Sequence, residues 1–175
     1  MRAELLELSK HQEPISEYEI GFTIDICGQI VQSHWSATHR PFEGGSAADE
    51  HEYNEALSDQ NFRTAYQVQY IWQLGLWRIV ALFDAILSHW FPELGRDGLK
   101  RKIQRLEKLG VAFAPEVRRE LGDWINLRNT LSHQPPEAPS FGHQLSHVDL
   151  DELAALAKHI LALAKPYSAH VSPDV

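Results

Sequence analysis

The chain has 175 residues, enough for one domain or at most two, and at this size a fold can bury a core without disulfide staples. The net charge of −8, from 16 basic and 24 acidic residues, argues for the chain as a whole against a dedicated nucleic-acid binder. A single cysteine, Cys27, excludes an intrachain disulfide and suits a reducing compartment, so we expect a cytoplasmic protein.

Two stretches bear on membrane targeting. Residues 1–10 carry charged side chains and no long apolar core, so we expect no secretory signal there. Residues 68–91 are the most apolar stretch, but they include Gln69, Gln73, Arg78 and Asp84, whereas a membrane span needs about 20 mostly apolar residues. We therefore expect no membrane partner.

The first predicted element lies within residues 17–35, where apolar residues alternate with polar or small ones. The alternating apolar residues are Tyr18, Ile20, Phe22, Ile24 and Ile26. This period of two favours a half-buried strand that Gly28-Gln29 could turn back, so we expect a short N-terminal β-hairpin, with a helix as the alternative. A loop rich in glycine follows over residues 40–48, and residues 1–48 form a predicted N-terminal extension.

From about residue 49 the apolar residues recur every three or four positions, which predicts helices. The predicted helices cover residues 49–91, 97–109, 115–133 and from 149 or 151 to 165. Proline and glycine punctuate their ends, and a proline-rich loop spans residues 134–142. We therefore predict an all-α fold, an antiparallel bundle of four to five helices over residues 49–166, followed by a flexible tail over residues 167–175.

The charge is unevenly distributed along the chain. Residues 1–95 carry a net charge of −9, residues 96–133 carry +4, and residues 134–175 carry −3. The eight basic residues of the middle segment that precede the motif described next are Arg96, Lys100, Arg101, Lys102, Arg105, Lys108, Arg118 and Arg119. Such a segment marks either a polyanion-binding face or a solvated helix face.

The basic segment ends in Arg128, Asn129 and His133, the one motif that indicates chemistry. Arg128 lies seven residues after Leu121, which places it near the apolar stripe, where a charged group needs a partner or an anionic ligand. Arg128 and His133 are about 140° apart around a regular helix, so a frayed last turn or a second subunit would have to bring them together.

The residues from Trp124 to His133 resemble the signature of the HEPN superfamily, in which an Arg, a polar residue and a His lie near a helix end. The resemblance covers roughly residues 50–165 and includes the long apolar helix before the motif. It implies a helical bundle that forms a homodimer with two motifs facing each other. Many members are metal-independent endoribonucleases, often toxins or phage-defence effectors, which implies RNA as substrate, no cofactor and no metal.

The resemblance also implies roles for the motif residues. His133 would act as general base or acid, Arg128 would hold the scissile phosphate, and Asn129 would orient either group, giving 2′,3′-cyclic phosphate ends. Family members often place an acidic residue near the motif arginine, so we expect Asp84 to pair with Arg128, with a solvent-facing Asp84 as the alternative. Pro135 stands where one branch carries a tyrosine that a partner enzyme modifies, so that regulation is not supported, although an antitoxin of another kind remains open.

We expect four basic side chains before the motif to contact RNA, namely Lys100, Arg101, Lys102 and Arg105. Two further functions stay open: a non-catalytic module of HEPN type that binds RNA or protein, and a structural partner of another protein.

His143, His147 and Asp149 have metal-ligand spacing but are better explained as loop and capping residues. Cys27 is better explained as a core residue than as a nucleophile.

Overall fold

The computed structural model describes residues 16–38, 45–133 and 144–168, with the side chains of Thr38, Ala47 and His133 outside the description. This part of the chain forms five α-helices and two short 3-10 turns. The helices are α1 (Tyr18–Thr38), α2 (Ala47–Trp90), α3 (Leu99–Lys108), α4 (Pro115–His133) and α5 (His147–Ala164), and the turns are Pro92–Leu94 and Lys165–Tyr167. The described residues contain no strand, and the predicted all-α helical bundle is confirmed.

The predicted N-terminal β-hairpin is wrong, because its residues form helix α1. The apolar residues that alternate in sequence fall into two separate rows on the helix. Ile20 and Ile24 are buried in one row, whereas Phe22 and Ile26 are exposed in the other. Because each row advances by four residues and the two rows are offset by two, together they imitate the period of a strand.

Helix α2 is the central element and runs for 44 residues, or about 66 Å. It begins with a capping box in which Ser46 and Asp49 bond to each other's backbone, and it ends at Trp90, with Phe91 as its C-cap before Pro92. The bond from Ser46 lowers the pKa of Asp49 below its ordinary value. The fully buried core of α2 lies in its second half and includes Leu76, Ile79, Leu82, Phe83 and Ile86.

The shorter helices keep close to their predicted bounds. Helix α3 ends before Gly110, whose φ of 101° is a conformation that glycine adopts without strain. Helix α4 begins at Pro115 as predicted, and α5 begins after a second capping box formed by Ser146 and Asp149. The predicted proline-rich loop and most of the predicted flexible tail lie outside the described residues.

Helix α2 packs against α1, α4 and α5, and α5 also packs against α1 and α4. The buried side chains of all five helices form one apolar cluster. By length and composition alone, residues 48–90 of α2 would suffice to cross a membrane, and 44% of their most apolar window is buried inside the protein. Buried core helices of soluble bundles meet the same criterion.

Candidate functional site

Arg128 and Asn129 lie on the exposed side of α4, close to its end. The Nη1 group of Arg128 donates a 3.1 Å hydrogen bond to Oδ1 of Asn129, so the amide holds one edge of the guanidinium. The expectation that Arg128 lies away from the solvent face is wrong. Arg128 is within about 20° of the buried Leu121 around the helix, but it is exposed, because at its level α4 borders a cavity instead of a packed neighbour.

A cavity of about 540 Å³ separates the start of α3 from the last turns of α4. We call it the α3/α4 cleft. Its described lining residues are Val80 of α2; Gly98, Leu99, Lys100 and Arg101 at the start of α3; and Ile125, Asn126, Arg128 and Asn129 of α4. The floor is apolar and the rim carries three cations and two amides, with no acidic side chain among these residues. The cleft therefore has the electrostatics of an anion site.

The start of α3 adds to this positive character. Gly98 is its N-cap and provides no side-chain hydrogen bond, so the first backbone N–H groups of the helix keep their donor capacity. Unlike α2, α4 and α5, helix α3 has no acidic residue in its first turn, where Lys100 and Arg101 lie instead. The positive end of the helix dipole and two cations thus lie at the same rim, which favours a phosphate or another anion.

The structure separates the four predicted RNA contacts. Lys100 and Arg101 are exposed and line the cleft. Arg105 lies one turn further along α3, where its guanidinium makes a 2.7 Å ion pair with Asp97 and lines a different, smaller cavity. Lys102 is fully buried, so its assignment as an RNA contact is wrong.

The ammonium group of Lys102 has three acceptors on α2. Its Nζ lies 2.8 Å from Oδ1 of Asp84 and 3.2 Å from the Asp84 carbonyl oxygen, and it also donates to Oγ of Ser88. The predicted pairing of Asp84 with Arg128 is therefore wrong in its partner, because the cation that neutralises Asp84 is Lys102. Asp84 supports the site indirectly, by fixing α3 against α2 just beyond the cleft.

His133 is the last residue of α4, and its side chain lies outside the described residues. The backbone is helical from Arg128 through His133, so no frayed turn draws the two residues together. Their Cα atoms are about 140° apart around the helix axis.

The other candidates have structural explanations. Asp149 caps α5, and His147 makes a 2.8 Å contact with Asp151 one turn further on, as expected for loop and capping residues. His143 lies outside the described residues. No group of three or more potential ligands that could hold a metal ion occurs in the described ranges. Cys27 is buried in the core, and burial raises the pKa of its thiol.

Sequence reasoning missed five of the residues that line the cleft, among them Gly98 and Asn126, and one residue that fixes the chain beyond the motif. Gly98 and Asn126 line the cleft, and Asn126 belongs to the motif segment itself. Gln69 of α2 bonds both backbone groups of Leu145, accepting from its N–H at 2.9 Å and donating to its carbonyl at 3.1 Å. The one sequence signal for Gln69 is its position as a polar residue within a mostly apolar stretch. The two hydrogen bonds between Gln69 and Leu145 fix the segment that leads into α5.

Comparison of the chain with protein-family models, with curated proteins and with solved structures gives no match.

Proposed function

We propose that this chain is a metal-independent endoribonuclease of HEPN type that acts as a homodimer. The observation that carries the proposal is the α3/α4 cleft, in which Arg128 and Asn129 of the motif lie beside Lys100, Arg101 and the uncapped start of α3. Although the chain has a net charge of −8, the motif residues lie in a cleft whose charged side chains are all basic. RNA contacts would accordingly be confined to this face.

Within the cleft, Arg128 is the residue suited to the scissile phosphate. A guanidinium can donate two parallel hydrogen bonds to phosphate oxygens, and it keeps its charge at any physiological pH. The bond to Asn129 occupies one Nη1 donor and leaves the remaining donors of the guanidinium available. Lys100 and Arg101 would hold the neighbouring phosphates, which positions the strand without reading its sequence.

His133 supplies the proton transfer in this proposal. An imidazole titrates near neutral pH, so it can remove the proton of the ribose 2′-OH or protonate the departing 5′-oxygen. Attack of the 2′-oxygen on the adjacent phosphorus releases the 5′-oxygen and leaves a 2′,3′-cyclic phosphate. Because Arg128 and His133 lie on different sides of α4, we assign the His133 that serves one Arg128 to the second subunit.

The direct test is cleavage of a panel of RNAs by the purified protein in excess chelator. We expect cleavage with cyclic phosphate ends, and a loss of at least about 100-fold for His133→Ala, the scale of a removed general acid or base. The exposed His159 of α5 provides a matched control, and His159→Ala should keep full activity. Equal rates for His133→Ala and the unmodified chain contradict the proposal.

A non-catalytic RNA-binding module is the second candidate. The observation that favours it is the separation of Arg128 from His133 around one helix, since the cations of the cleft bind phosphates without any help from His133. This candidate predicts RNA binding that is unchanged in His133→Ala and weakened in Arg101→Ala, with no cleavage by either protein. Cleavage that depends on His133 excludes it.

A further inference from the structure

The α3/α4 cleft has two chemically different sides, which the helical spacing of α4 sets apart. Arg128 lies about 60° to one side of Ile125 around the helix axis, and Asn126 lies about 100° to the other side. All three residues line the cleft, so an apolar side chain lies between a guanidinium and an amide. One side of the cleft is therefore charged, and the other is polar without charge.

The fold does not use the side-chain amide of Asn126. Asn129 gives its Oδ1 atom to the guanidinium of Arg128. Asn126, by contrast, is exposed and makes no side-chain hydrogen bond within the part of the chain that the structure describes. Its Oδ1 acceptor and its Nδ2 donor are therefore both available, side by side, to a ligand in the cleft.

The floor of the cleft is formed by aliphatic side chains from three helices. Leu99 of α3 is buried, whereas Val80 of α2 and Ile125 of α4 are half-buried and pack on the core. A phosphate gains nothing from such a surface, because its oxygens need hydrogen-bond donors. An unpaired nucleobase does gain from it, because its ring faces stack on side chains while its edge forms hydrogen bonds.

The size of the cleft suits a whole nucleotide. Its volume of about 540 Å³ lies within the range of roughly 300–1,000 Å³ that is typical of small-molecule sites, and a phosphate alone would fill only a small part of it. A nucleotide whose phosphate contacts Arg128 and which lies across α4 passes over Ile125 and brings the edge of its base to Asn126.

The hydrogen-bonding pattern favours one base. The amide of an asparagine matches adenine, because it accepts from the amino group and donates to the neighbouring ring nitrogen. Guanine is matched best by two donors from an arginine or a lysine, and the three cations of the rim are needed for phosphates in the proposed function. Cytosine and uracil have a single ring, so they cover less of the apolar floor than a purine does.

We propose that the α3/α4 cleft binds an unpaired adenine, with its ring on Val80 and Ile125 and its edge bonded to the amide of Asn126. This inference rests on the proposed binding of RNA in the cleft, and it adds a residue that selects the base. Lys100, Arg101 and Arg128 contact phosphates, which every RNA sequence presents alike. Asn126 is the side chain in this cleft that distinguishes one base from another.

A base contact and a phosphate contact respond differently to salt. Each phosphate contact releases counterions from the RNA and so contributes to the slope of log affinity against log salt. The amide of Asn126 carries no charge, so its loss should lower the affinity for adenine and leave that slope unchanged. Loss of Arg101 should instead lower the affinity for all bases and reduce the slope.

The test is binding of single-stranded octamers of adenylate, uridylate or cytidylate to the full chain, measured by fluorescence anisotropy over a salt series. The strands carry 2′-O-methyl riboses, which have no 2′-OH to attack the phosphate and are not cleaved. We expect the adenylate octamer to bind at least about fivefold more tightly than the other two, the lower bound for a matched amide–adenine pair. Asn126→Ala should remove this preference and keep both the salt slope and the affinity for the uridylate octamer.

Asn54→Ala is the matched control, because Asn54 is an exposed asparagine in the first half of α2, and it should keep the preference for adenylate. A preference that survives Asn126→Ala overturns the inference, and so does a reduced salt slope in Asn126→Ala, since the amide would then contact a phosphate. Equal affinities for the three octamers overturn the adenine site alone and leave RNA binding in the cleft in place. If none of the octamers binds, RNA binding in the cleft fails, and the adenine site fails with it.

Discussion

Lys102 and Asp84 form an ion pair of unequal burial that links α3 to α2: the lysine side chain is fully buried, whereas the aspartate side chain is 38% exposed. Because the two side chains differ in burial, we expect removal of one or the other to lower the free energy of unfolding by different amounts. Asp84→Ala leaves a buried cation without its counter-charge, so we expect a loss of about 3 kcal/mol in the free energy of unfolding. Lys102→Met leaves a carboxylate that water reaches and a long apolar side chain in the buried position, so its loss should be smaller. Urea unfolding measures both, and a larger loss for Lys102→Met would contradict the assignment.

The α3/α4 cleft predicts which cations contribute to polyanion binding. Arg101→Ala and Arg128→Ala should each weaken binding of a single-stranded RNA and reduce the slope of log affinity against log salt by about 0.7, the value for one lost phosphate contact. Arg63→Ala removes the same charge from the exposed first half of α2 and should leave the slope unchanged. Fluorescence anisotropy over a salt series gives the slopes. Equal slopes for all three variants would show that Arg101 and Arg128 of the cleft make no phosphate contact.

Two glycines within helices should respond to alanine in opposite directions. A Cβ at Gly75 would lie 2.6 Å from Cδ1 of Leu150 and 3.0 Å from Sγ of Cys27, so Gly75→Ala should cost about 1–3 kcal/mol through overpacking. A Cβ at Gly122 of α4 meets nothing within 4 Å, so Gly122→Ala should stabilise by about 0.5–1 kcal/mol through helix propensity alone. Thermal unfolding of both variants measures the two effects, and stabilisation by Gly75→Ala would show that Leu150 and Cys27 lie further from α2 than these distances.

The buried thiol of Cys27 predicts a dependence of stability on alkaline pH. Desolvation raises its pKa above the ordinary value of 9.0, so the folded chain keeps the thiol protonated to a higher pH than the unfolded chain does. Its contribution to stability is complete below that ordinary value and is lost as the pH rises through the folded pKa. Between pH 8 and about 10.5, urea midpoints should fall more for the unmodified chain than for Cys27→Ala. Parallel curves would show that the thiol is accessible to water.

The sequence was most informative where helix signals agreed with each other. Pro115 opens α4, and Gly110 follows α3, at the predicted places, because each residue has a local backbone reason to stand there. It was misleading at α1, where an exposed apolar row beside the buried row produced the alternation of a strand. Periodicity assumes that a surface helix has one apolar face, whereas α1 has a second, exposed one formed by Phe22, Ile26 and Ile30.

Four residues of the candidate site were predictable from the sequence, but its pairings were not. Arg128, Asn129, Lys100 and Arg101 could be singled out from the motif and the local charge, and the structure brings these four together. The partner of Asp84 could not, because the choice between Arg128 and Lys102 depends on how α3 and α4 lie across α2. Residue spacing along the chain does not determine how far Arg128 and Lys102 lie from Asp84. Lys102 stands among other basic residues, and nothing in the sequence marks it as the buried one.

Helix α2 borders two cavities at once, since Ile71 lines the one beside α1 and Val80, about 180° away around the helix axis, lines the α3/α4 cleft. A rigid helix that rotates about its own axis carries residues on its opposite sides in opposite directions by the same angle. A contact that turned α2 by a few degrees on the α1 side would therefore move Val80 at the cleft by a displacement of similar size.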